Sequence, residues 1–360
     1  MKKKSFLSKR YSFAADVVRV IAIIGVVSIH VLIAVYDRAD FRGGGVWWIT
    51  NIWNSLSRPA IPLFIMLSGS LLIDKKEQGE ALRKRIVNRL AIPLISFTVF
   101  FKLINGENLN PWLLFSSLIK VNVGILYFLT IVLGLYIFLP LIRKGFLPLK
   151  LKQQFFIAMM FILGAMGIVL IEYYLKFFFL NNLFLMWIPY LGFFLIGHVL
   201  SKVKFNLFQK LITFFAYLMT VVATILLSNH YLSQSTTSEL FPVGALSPYY
   251  DFHLSPNLVI MSLTLFVLLF QFNYKIIQKS SLLKSIIQEI SKASFGIYLL
   301  HLFVITALEK YLRFSVDFVQ LPLLLFLLIK FFLVLIGSYG LTIVFKKTPI
   351  LKNMVLAQIN

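Results

Sequence analysis

Cysteine is absent from these 360 residues, so the chain can form no disulfide, no thiolate metal site and no cysteinyl acyl-enzyme. Charge is scarce too: 13% of positions are charged and 59% hydrophobic, about half the charged share of an ordinary soluble domain. Acidic residues are scarcest, 13 against 35 lysines and arginines. Internal repeats, low-complexity segments and any stretch that reads as a soluble domain are also missing. A soluble fold is thereby excluded, and a mean hydropathy of +0.89 describes an integral membrane protein.

What the sequence does contain is a series of apolar runs. Measured against the roughly 20 residues a spanning helix needs, ten stand out, at about 14–36, 50–73, 88–104, 123–142, 153–175, 183–200, 207–228, 255–271, 293–309 and 321–345. The expected fold class is all-α: a polytopic membrane bundle of about ten helices, a single domain over 1–360 with an extracytoplasmic loop at 229–254. The opening MKKKSFLSKR precedes an apolar run too long for a signal h-region and without a small-residue cleavage pattern, so the first helix is expected to stay. An even number of spans places both termini on one side. That side, with its loops, holds 25 of the 35 lysines and arginines, the other holds 7, and Arg19, Arg58 and Lys330 fall within the runs. The positive-inside rule makes the richer side, and both termini, cytoplasmic. The net charge of +22 then orients the protein and meets anionic lipid; no nucleic-acid partner is expected.

Polar groups at membrane depth are costly, about 2.5–3.5 kcal/mol for a central Arg or Asp on insertion scales, so each marks a candidate site. Arg19 and His30 are eleven residues apart, which on a helix is about 20° in azimuth and about 16 Å in height. They share a face, and Asp16, three before Arg19, shares it as well and can pair with it. Snorkelling of Arg19 to the inner headgroups and a satisfied core histidine are the alternatives. Helix two, "SRPAIPLFIMLSG", puts Arg58 at a depth comparable to His30 among two prolines, an irregularity that a protein-lined cavity tolerates and lipid does not. Arg58 suits a carboxylate, a phosphate or an oxyanion, or a partner on another helix; Ser68 suits ligand binding or a bond to its own helix. In "RKRIVNRLAIP", Arg85 and Arg89 lie four apart and can clamp phosphate with their guanidinium forks, beyond the flanking role such a cluster has by default. Tyr298 and His301 are neighbours on helix nine. Trp47, Trp48 and Trp53 read as interfacial anchors. No histidine pair has metal-ligand spacing with acids nearby, so no metal is expected.

Taken together, Asp16, Arg19 and His30, "PLFIMLSGSLL", the arginine-rich start of helix three, "YFLTIVLGLY", "YLGFFLIGHVL" and "SFGIYLLHLF" resemble the acyltransferase-3 family of integral-membrane O-acyltransferases over most of the chain. Tyr127 before Phe128 stands where many members have tryptophan, and the Arg85 to Arg89 spacing is one longer than the commonest pattern. Within the family the chain resembles the single-domain bacterial members that acetylate cell-surface glycans. The resemblance implies a place in the bacterial cytoplasmic (inner) membrane and acyl transfer, usually acetyl from acetyl-CoA, to a hydroxyl of a lipid-linked or surface polysaccharide. On that reading Arg85 and Arg89 take the CoA phosphates, with Ser68, Tyr298 and His301 also on the donor. Asp16 and Arg19 orient the pantetheine end, His30 serves as general base or transient acetyl carrier, and Arg58 meets the oxyanion or an acidic sugar. The competing readings are a transporter or flippase of polar lipid-linked glycan precursors, with Arg19, Arg58 and Lys330 along its pathway, and a non-catalytic subunit of a polysaccharide assembly complex.

Overall fold

A computed structural model describes residues 2–75, 79–104, 106, 110, 112, 126–175, 184–234 and 252–348. Most of the loop expected at 229–254 lies outside the described residues. Those residues form helices and contain no strand, as hydrocarbon demands of any chain that cannot close a barrel. Seven helical stretches are long and apolar enough to cross a membrane: Phe13–Tyr36, Gly45–Leu72, Glu80–Ile104, Leu151–Glu172, Leu207–His230, Ser281–Lys310 and Leu323–Lys347. An eighth candidate is a pair, Tyr127–Ile137 and Leu139–Phe146, bent by 55°. The other two expected runs carry shorter helices, Leu191–Lys202 and Pro256–Gln271. At 1.5 Å per residue these rise only about 18 and 24 Å, below the hydrocarbon thickness of about 30 Å. Apolar composition had extended the first of these runs ahead of the helix actually formed, which begins at Leu191, whereas Pro256–Gln271 matches its run.

The chain divides into two compact units. The first holds α1 (Lys2–Tyr36), α2 (Gly45–Ser57), the start of α3 (Ala60–Leu72), and, from later in the chain, α10 (Leu207–Gln234), α11 (Pro256–Gln271), α12 (Lys275–Lys279), α13 (Ser281–Lys310) and α14 (Leu323–Lys347). Paired contacts fix the direction of each helix. Trp47 stacks on Tyr36, Trp53 Nε1 donates to Ser28 Oγ at 3.0 Å, and Ser57 and Ala60 lie against Gly25, so α2 runs antiparallel to α1. Glycine is required there, because a Cβ on residue 25 would come within 3.0 Å of the Ser57 carbonyl oxygen. Ser291 meets Asp16 and Arg19, and His301 meets His30 further along, so α13 runs parallel to α1. Lys330 on Glu309 and Gly337 against Val304 make α14 antiparallel to α13. Gln271 takes the Phe205 N–H and Asn257 donates to Thr224, so the short α11 lies antiparallel along α10. One end of this unit is closed by Phe13, Val17, Tyr274 and Ile287. At the other, Arg38 joins the α1–α2 connection to the α13–α14 connection through Asp40 and Asp317.

The tryptophans expected as interfacial anchors are in part core residues. Trp47 is buried and donates Nε1 to the Tyr36 carbonyl at 3.2 Å, while Trp53 packs edge-on against Phe331. Each indole thus satisfies its one N–H inside the protein rather than at headgroup level.

The second unit holds the rest of α3, α4 (Glu80–Ile86), α5 (Ile92–Ile104), α6 (Tyr127–Ile137), α7 (Leu139–Phe146), α8 (Leu151–Leu175) and α9 (Leu191–Lys202). Between α4 and α5, Val87–Ala91 widens into a π-turn, with the Ile92 N–H bonded to the Val87 carbonyl. Pro93 has no N–H for the Arg89 carbonyl four residues back, which disfavours regular α-helix here. Pro140, in the first turn of α7, accounts in the same way for the bend at Phe138. Helices α3 and α9 touch backbone to backbone. Gly69 faces the Phe194 carbonyl and Gly197 faces the Met66 carbonyl where the two helices cross, and Asp74 beyond them bonds Lys202.

Two outcomes are expected. Because the chain has no cysteine, single-cysteine variants can report sidedness. Lys279→Cys and Lys347→Cys should react with a membrane-impermeant maleimide only in inverted vesicles, and Asp37→Cys and Tyr311→Cys only in intact cells; a mixed pattern within either pair would refute an even number of spans with cytoplasmic termini. Gly69→Ala and Gly197→Ala should each lower the melting midpoint in detergent by the equivalent of about 1–3 kcal/mol. Gly164→Ala in α8, where an added Cβ meets nothing within 4 Å, should not lower it.

Candidate active site

The face that Asp16, Arg19 and His30 share along α1 is the face packed on α13. Arg19 Nη1 donates to Asp16 Oδ1 at 3.1 Å and to Ser291 Oγ at 3.3 Å. The Ser291 hydroxyl in turn donates to Asp16 Oδ1 at 2.7 Å. The result is a closed triangle of charge-assisted bonds, with the Arg19 and Asp16 side chains 19% and 15% exposed. Arg19 is therefore held across a helix interface. Ser291 was not singled out from the sequence. Its signal lay in register: it stands ten residues before His301, much as Arg19 stands eleven before His30, and two parallel helices with matched polar spacings bring both pairs together.

Higher on the same two helices, His30 is half-buried and His301 fully buried, their ring centroids 5.1 Å apart at an interplanar angle of 46°. His301 Nδ1 lies 2.6 Å from the Tyr298 carbonyl oxygen and 3.2 Å from that of Ile297. A carbonyl can only accept, so Nδ1 carries the proton and Nε2 keeps the lone pair. That Nε2 is buried and has no hydrogen-bond partner. The Tyr298 ring sits 6.1 Å from that of His301. Arg58, in the break between α2 and α3 that Pro59 enforces, holds its guanidinium 5.7 Å from the centre of the Tyr36 ring, and its charge acts on His30. Unit one thus gathers Asp16, Arg19, His30, Arg58, Tyr298 and His301 from the expected set. The pairing of the two histidines was not foreseen.

The remaining candidates belong to the second unit. Ser68 spends its hydroxyl proton on the Phe64 carbonyl of its own helix at 2.8 Å, which leaves its oxygen lone pairs as acceptors. Of the cationic cluster, Arg83 and Lys84 are exposed, with Lys84 on Glu80 at 2.8 Å, while Arg85 is buried and Arg89 half-buried. The π-turn begins between Arg85 and Arg89 and includes Arg89, which alters the simple four-residue spacing on one helical face. It is these two, not their neighbours, that turn inward. Among the described residues no group of three His, Asp or Glu side chains is placed to hold a metal ion.

A histidine pair and a bonded Asp–Arg–Ser triangle, held at two depths between parallel helices, mark this as a multi-pass helical membrane protein with a built polar site. The model of the acyltransferase domain family, acyltransferase-3, matches residues 13–343, and the chain belongs to that family. No curated protein and no solved structure matches it.

Lys330, fully buried in α14, is held by Glu309 at 2.6 Å and sits 5.4 Å from the Phe326 ring centre. Glu309 itself is 41% exposed, so the two partners are not equivalent. Glu309→Gln leaves a buried ammonium without its counter-charge and should destabilise by about 3 kcal/mol or more. Lys330→Met leaves a carboxylate that reaches water and should be much milder. Detergent melting of the two variants checks this order, and equal losses would overturn it.

Proposed function

We propose that this acyltransferase moves an acetyl group from acetyl-CoA to a hydroxyl of a lipid-linked or cell-surface glycan. The observation that carries this reading is a half-buried imidazole, His30, packed against a buried histidine, His301, on the helix that also bears the Asp16–Arg19 pair. As the acceptor oxygen attacks the thioester carbonyl carbon, His30 takes the hydroxyl proton, the C–S bond breaks and CoA leaves as its thiolate, which the same proton can then neutralise. Arg58 offsets the charge that gathers on the carbonyl oxygen. The Asp16–Arg19–Ser291 triangle orients the pantetheine arm, and Arg85 with Arg89 binds the CoA phosphates through guanidinium forks. Ser68 accepts from the donor. Ten spans, with both termini in the cytoplasm of a bacterial inner membrane, supply a donor side and an acceptor side. The short α9 and α11 support ten spans, because each runs alongside another helix within its own unit: α9 beside α3, α11 beside α10.

Purified protein incubated with radiolabelled acetyl-CoA and a crude lipid-linked glycan fraction should yield labelled glycan. His30→Ala should lower that yield by about 10²–10⁴, and Arg19→Ala should reduce it as well. CoA-independent movement of glycan across the membrane, or full transfer by His30→Ala, would refute the assignment in favour of transport or a non-catalytic role.

A further inference from the structure

Three observations converge on His301. It is fully buried while its neighbour His30 is half-buried. Its Nδ1 is committed to the carbonyls of Tyr298 and Ile297. Its Nε2, which must then be a lone-pair acceptor, is buried with no hydrogen-bond partner, an unfavourable condition unless something fills it. The His30 ring lies 5.1 Å away between centroids, a separation at which two imidazoles can be joined nitrogen to nitrogen by one hydrogen bond of about 3 Å.

We infer that His301 is a positioning residue for His30, its Nε2 accepting the N–H of His30 and so fixing which His30 nitrogen stays free as the base. The bond is not made in this structure, where His301 Nε2 has no partner, and rotation of the His30 ring makes it. A neutral imidazole has one N–H and one lone pair. Unless a partner claims the N–H, either nitrogen can carry it, and the wrong tautomer presents a donor where the acceptor hydroxyl needs a base. An acidic side chain behind the base performs this service in serine hydrolases, where the wrong tautomer costs about 10⁴ in turnover. Here a neutral acceptor does it without placing a second full charge in hydrocarbon. His301 therefore acts through His30 and does not touch the acetyl donor.

This inference rests on His30 being the base, and the test separates the two. His301→Phe keeps ring volume and removes the acceptor; His301→Gln keeps an acceptor oxygen. At matched folded protein, judged by size-exclusion elution, His301→Phe should lower kcat by about ten-fold or more while KM for acetyl-CoA stays within about two-fold. His301→Gln should keep kcat within about three-fold of wild type. In histidine-¹⁵N-labelled protein, the His30 ring nitrogens should report a single tautomer in wild type and a mixture in His301→Phe. A rise in KM alone would instead make His301 a donor-binding residue, and equal losses in both variants, or an unchanged His30 tautomer, would make it structural; each of these overturns the inference. Absence of acetyl transfer in wild type would refute the proposed reaction, and the tautomer signal would still decide the role of His301.

Discussion

A charged or hydrogen-bonding side chain in hydrocarbon has no water to turn to, so it must meet its complement on a neighbouring helix or on its own. Helix α1 carries three such side chains on one face, and α13 answers them at two depths, with Ser291 for Asp16 and Arg19 and with His301 for His30. That single demand sets the register of α13 on α1 and its parallel direction. The antiparallel partners α2 and α14 then follow, closed by Trp53 on Ser28 and by Lys330 on Glu309. Apolar packing alone would permit these helices to slide or rotate, since lipid tails are as apolar as leucine. The polar pairs remove that freedom.

In the second unit the controlling feature is backbone approach. Gly69 and Gly197 allow α3 and α9 to touch at their carbonyls, which a pair of larger residues would hold apart. Two prolines do the opposite work, Pro93 breaking the bond pattern that yields the π-turn and Pro140 accounting for the bend between α6 and α7. Freed carbonyls near such breaks have to be satisfied by neighbours. Helix ends have the same need: Arg143, buried in α7, donates to the Leu72 carbonyl at the C-terminus of α3 at 2.7 Å.

Much of this was legible in the sequence, and for stated reasons. Apolar runs overlapped each candidate span among the described residues because hydrocarbon filters strictly for composition, though they missed the short α4 and α12, and the 3.6-residue period placed Asp16, Arg19 and His30 on one face before any partner was known. The family followed from "SFGIYLLHLF" and its companions in order. What stayed hidden depends on contacts between segments distant in sequence. Nothing local says that Ser291 completes the Asp16–Arg19 pair, that His301 faces His30, or that Trp47 turns inward to Tyr36. The length of α9 was overestimated because the turn residues ahead of Leu191 lie inside an apolar run and look like helix to a composition scale. The π-turn had a local cause in Pro93, yet the effect of one missing N–H is absorbed in several ways and only the packed chain selects among them.

The Asp16–Arg19–Ser291 triangle joins residues 275 and 272 positions apart. At translation rates of about 5–20 residues per second, α1 enters the membrane tens of seconds before α13 exists. During that interval neither α13 hydroxyl nor α13 imidazole is there to meet it. The three-residue spacing of Asp16 and Arg19 lets the two charges neutralise one another on the same helix, so α1 can wait in lipid as a self-contained segment. The polar site is thus divided in time as well as in depth: one half is stable alone from the start of synthesis, and the other is completed only when the ninth apolar run arrives.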